Sequence, residues 1–105
     1  MVRATYTIDE NQHTLTVKGH ANYAAYGKDI VCAGISSLVQ ALIGWLEEYH
    51  YKVENVSVDT KGGGVTISAE GEEVTSIFQM VAIGLEQIAD AYPNHIQIDI
   101  IGTAD

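Results

Sequence analysis

Apolar residues recur along this chain with two different periods, and the order in which those periods alternate limits its possible folds more than any other feature. Residues 3–9 alternate in polarity and are rich in β-formers, which predicts a strand. The polar Glu10-Asn11-Gln12 then makes a hairpin turn, and residues 13–19 form a second strand with Leu15 and Val17 on one face. Residues 22–28 have no periodicity and read as a loop. From 31 to 49 the period changes to that of a helix, through Ile35, Leu38, Leu42, Trp45 and Leu46, with Asp29 as its N-cap. Two further alternating runs, 52–59 and 64–69, are joined by Lys61-Gly62-Gly63. A second helix starts near Gly71-Glu72-Glu73, carries Val74, Ile77, Phe78, Val81, Leu85, Ile88 and Tyr92 as its stripe, and ends at Pro93. Residues 95–101 are the last strand. The order ββαββαβ predicts an α+β two-layer sandwich, in which a mixed, largely antiparallel sheet carries two helices on one face.

A chain of 105 residues without a linker or a long-period repeat is expected to form one domain over 1–105. Its 47% hydrophobic and 18% charged residues, with a single proline, exclude a disordered or collagen-like chain. The uncharged stretch 30–46 holds Ser36, Ser37 and Gln40 and falls short of the ~20 apolar residues of a membrane span. Residues 1–6 enter alternation directly, so no secretory leader and no membrane attachment are expected. A lone cysteine fits a reducing, cytoplasmic location. Fourteen acidic against five basic residues give a net charge of −9. Such a surface repels a phosphate backbone, so no direct nucleic-acid contact is expected, and it steers a basic peptide toward itself. Simple solubility explains the same charge.

The segment Gly19-His20-Ala21, followed by Gly27-Lys28-Asp29-Ile30-Val31-Cys32-Ala33-Gly34-Ile35-Ser36, departs from a generic pattern. His20 stands at a strand end and Cys32 in the first turn of a helix, two places that a sheet-and-helix fold brings to one edge. A thiol there feels unpaired N–H groups that favour its thiolate, and a nearby imidazole completes the nucleophile and acid of acyl transfer. Each residue also has a plainer reading. Cys32 fits a buried small hydrophobe and His20 a surface or capping residue. Asp29 either caps the helix or orients the imidazole, and Ser36 either serves the site or bonds a backbone carbonyl. Gly34 and Gly44 weaken a helix unless another backbone packs closely on them. His13, His50 and His95 have no partner signature and read as structural. Cys32, His20 and Asp29 lack any recognised metal-ligand spacing, so neither metal nor cofactor is expected. In the loop 22–28, Tyr23, Tyr26 and Gly27 either line a substrate cleft as a mobile cover or belong to the scaffold.

The two strings together resemble the motif of the bacterial ribosomal-processing cysteine protease family, and length and element order agree over nearly the whole chain. The resemblance implies a small cysteine endopeptidase. Its expected partner is the N-terminal extension of a basic ribosomal protein, protein twenty-seven of the large subunit. By the same resemblance Cys32 is the nucleophile, His20 the general base and acid, and Gly19, Asp29 and Ser36 the supporting residues, in a homodimer for which the helical glycines leave room. Two other functions stay open beside it. A non-catalytic module binding the ribosome through RNA is disfavoured by the acidic charge. A thiol redox sensor is disfavoured because Cys32 has no second cysteine to resolve a sulfenic acid.

Overall fold

Val2–Asp9 and Gln12–Lys18 pair antiparallel as β1 and β2, closed by a two-residue turn in which Glu10 takes a left-handed φ of 56°. The computed structural model describes residues 1–102, with α1 at Ile30–Glu48, β3 at Glu54–Asp59, β4 at Gly64–Glu70, α2 at Thr75–Ala91 and β5 at Ile96–Gly102. The sheet order is β3-β4-β2-β1-β5. Only β5 runs parallel to its neighbour, β1; the other pairs are antiparallel. The chain therefore has the α+β, ββαββαβ architecture that its periods predict.

Alternation places Ala4, Tyr6 and Ile8 of β1 beside His13, Leu15 and Val17 of β2 and Ile67 and Ala69 of β4, all buried on the helix side. Val31, Ile35, Val39, Leu42 and Leu46 of α1 and Phe78, Val81, Ala82 and Leu85 of α2 close over them. By length and composition α1 is apolar enough to cross a membrane, beyond the expectation from stretch 30–46; in this fold its Val31, Ile35, Val39, Leu42 and Leu46 are buried in the core. The helices approach closely at two glycines. A Cβ on Gly34 would stand 3.3 Å from Ile88 Cδ1, and one on Gly84 2.8 Å from Leu38 Cδ1. Gly34 is thus explained by the neighbouring helix, whereas Gly44 faces open space.

Boundaries shift where turns tighten. The second helix begins at Thr75, after a short 3₁₀ turn at Glu72–Val74 that holds the expected acidic start. Another 3₁₀ turn, His50–Lys52, delays the third strand to Glu54. At the far edge β3 is exposed throughout and bulged, with Asn55 at φ 52°. The bulge and the flanking Glu54 and Asp59 discourage pairing with another chain. At the opposite end of the molecule the last residue of β2, the first of β1 and the first of β5 lie side by side, since Lys18 pairs with Arg3 and Val2 with Ile96.

Candidate active site

The chain leaves β2 through Gly19, whose φ of +96° is open to glycine and strained for any residue with a Cβ. An added Cβ would also stand 2.5 Å from the Met1 carbonyl oxygen. This tight exit delivers His20 to the surface and buries Ala21 to 2% exposure. Asn22, at φ 53°, turns the chain again, and a bond from the Lys28 amide to the Ala25 carbonyl (2.9 Å) closes a turn around Gly27 before α1 begins.

Asp29 joins this loop to the helix. Its extended backbone (φ −84°, ψ 98°) is that of an N-cap, and its Oδ1 accepts from the Cys32 amide at 2.9 Å. Oδ2 accepts from the Tyr23 and Ala24 amides at 3.0 and 3.4 Å. These bonds to the charged form, the Cys32 amide foremost, hold the Asp29 carboxyl below its ordinary value. Of the two roles left open for Asp29, the geometry assigns the cap, extended to a loop tether, because its oxygens are engaged by backbone. Asp29→Ala is expected to lower stability, as lost caps do. Amide exchange at Tyr23 and Ala24 should accelerate with it. Unchanged exchange there would show that the tether contributes nothing.

A cleft of about 530 Å³ opens between this loop and the start of α1. His20 and Cys32 both line it, with Asn22, Tyr26, Asp29 and Ser36. Among the described residues His20 and Cys32 share the cleft without a hydrogen bond between them. Cys32, the third residue of α1, is exposed, so the core-filler reading fails. Ser36 faces the cleft one turn further along; the serine that bonds a backbone carbonyl is its neighbour, with Ser37 Oγ donating to Ala33 O at 2.9 Å. Tyr26 is fully exposed and lines the cleft together with Gly27. Tyr23 does not line it. Its ring packs edge-on against Tyr92 (5.2 Å) and His95 (5.3 Å), which draws it away from the opening. Among the described residues no group of three or more His, Cys, Asp or Glu stands close enough to hold a metal ion.

The family model described as Cysteine protease Prp matches residues 1–97, which include every residue of the cleft. This chain belongs to that family. It is similar to the Prp ribosomal processing cysteine protease of Mycoplasma genitalium, 36% identical over 93 residues that cover 88% of this chain and 92% of the relative. The Prp of Staphylococcus aureus is 30% identical over 108 residues, covering 94% and 98%. In fold the chain resembles the crystal structure of the S. aureus Prp in complex with a covalently linked product peptide. The TM-score is 0.80 at 24% identity, over 95% of this chain and 99% of that one. As a member of this family, the chain is a cysteine protease and thus a hydrolase.

The cleft also contains Lys28 and Ile30, which stand inside the motif string without an assigned role, and Asn22, which lies between its two halves. Gly19 lies beside the cleft without lining it. Gly19→Ala is expected to cost roughly 1–3 kcal/mol through the left-handed φ and the Met1 contact. It should also slow cleavage by displacing His20. A melting temperature equal to that of the wild type would remove the argument.

Proposed function

We propose that this protease cuts a short N-terminal extension from a basic protein of the large ribosomal subunit, protein twenty-seven by family resemblance, in the cytoplasm. The observation that carries the reading is the placement of Cys32 and His20 in one open cleft, with Cys32 in the first turn of α1. Cys32 Sγ attacks the scissile carbonyl carbon while His20 takes the thiol proton and passes it to the departing amine. The resulting thioester is attacked by water, His20 again acting as base, and the peptide carboxylate leaves as the thiol re-forms. The Cys32 amide is engaged by Asp29 and is therefore not free to hold the oxyanion. The ribosomal-processing names of the relatives and the net charge of −9 both support a basic ribosomal substrate.

Mass spectrometry after incubation with a peptide spanning such an extension and its junction tests the reading. A single cut supports it. An uncut peptide with oxidised Cys32 would support a redox sensor instead, and an uncut peptide retained on the protein a binding module. In the Cys32→Ala protein, residues 25–27 are expected to exchange amide hydrogen quickly and to slow when peptide is added. Slow exchange unchanged by peptide would make this segment scaffold.

A further inference from the structure

His95 lies outside the cleft yet reaches the chain that carries His20. Its Nδ1 stands 2.8 Å from the Ala21 carbonyl oxygen, across a separation of 74 residues. A carbonyl only accepts, so Nδ1 carries the proton and donates. The backbone of His95 is itself fixed. Its amide donates to the Tyr92 carbonyl at 2.9 Å, and its carbonyl accepts from the Val2 amide at 2.9 Å. The imidazole is therefore mounted on the end of α2 and the start of β1. Its ring also packs edge-on against that of Tyr23, as does the ring of Tyr92. Ala21 adds a buried side chain at the same point. The connection from His20 to Cys32 is then tied at Ala21 by His95, at the Tyr23 ring by Tyr92 and His95, and at the Tyr23 and Ala24 amides by Asp29.

We propose that His95 is a positioning residue for peptide hydrolysis: its Nδ1–H holds the Ala21 carbonyl and so fixes the backbone that presents His20 to the cleft. The inference rests on the reading of His20 as the base and acid. His95 does not line the cleft. Its effect passes through the placement of His20, where displacement by about 1 Å costs on the order of 100-fold in rate.

Two substitutions separate the donor from the ring. His95→Asn places an amide N–H where Nδ1–H stands and removes the ring that packs on Tyr23. His95→Phe keeps a ring there and removes the donor. Steady-state cleavage of the extension peptide, measured with both variants and with His20→Ala, decides between them. His95→Phe is expected to lower kcat at least about 10-fold with KM within about twofold, while His95→Asn keeps kcat within about threefold of wild type. Wild-type kcat in His95→Phe, or equal losses in both variants, overturns the proposal. Nitrogen NMR of the histidine rings in the wild-type protein provides a check that needs no variant. A proton on Nδ1 of His95 is expected, and a proton on Nε2 alone overturns the proposal. If His20→Ala cleaves normally, the reading of the site falls and this inference with it. If His20→Ala is inactive and His95→Phe is not slowed, this inference alone falls.

Discussion

Cys32→Ala is expected to remove peptide cleavage, by at least ~10³-fold, and to leave the fold in place. The thiol is exposed on the third residue of α1 and fills no part of the core, so its loss opens no cavity. The backbone amide that Asp29 caps remains, and alanine is the best helix former at that position. What disappears is the only sulfur nucleophile in the chain. His20→Ala should act on the same scale, since no other histidine lines the cleft. Product formation followed by mass spectrometry gives the rate, and melting temperatures within about 2 °C of wild type establish that the fold persists. Residual cleavage above about a hundredth of wild type in either variant would place the chemistry on other residues.

The elements were legible because most of them keep one period long enough to be read. β1 and β2 alternate strictly from Val2 to Lys18, and both helices carry unbroken stripes. The boundaries that moved are those set by turns, at Glu72–Val74 and His50–Lys52, where three residues leave no periodic trace. Cys32, His20, Asp29 and Ser36 were legible as a local string, and the fold gathers all four into one cleft. Tyr23 was not, because its neighbours Tyr92 and His95 lie at the far end of the chain. His95 reads as an unremarkable histidine until the parallel pairing of β5 with β1 brings its loop beside Ala21. A contact that depends on sheet topology leaves no mark on its own segment.

The same is true of His13, and it leads to the second large effect. His13 is 1% exposed, with Nδ1 at 2.7 Å from the Tyr6 hydroxyl and Nε2 at 3.1 Å from Thr75 Oγ1, the first residue of α2. Its ring stacks with those of Tyr6 and Phe78 at 5.9 and 5.5 Å. Both partners are hydroxyls, so they accommodate either neutral tautomer, and the penalty on protonation is that of burying a charge. Burial lowers the His13 pKa below 6.5 and pushes that of Tyr6 up to about 12. For His13 the unfolded chain binds the proton first on acidification. Its contribution is thus complete above 6.5 and is lost as pH falls below that value toward the folded pKa. For Tyr6 the unfolded chain loses its proton first. Stability is complete below pH 10 and declines as pH rises from there to about 12. The full Tyr6 shift corresponds to about 3 kcal/mol, a large share of the 5–15 kcal/mol of an ordinary domain. Urea unfolding across the pH range should give a plateau between these limits, with a second acid loss below 3.8 as Asp29 protonates. Tyr6→Phe should flatten the alkaline limb. It should also cost about 1–3 kcal/mol at neutral pH, because Nδ1 of His13 is left buried without a partner. An alkaline limb that persists in Tyr6→Phe would mean that another group carries it, and that the Tyr6–His13–Thr75 chain contributes packing alone.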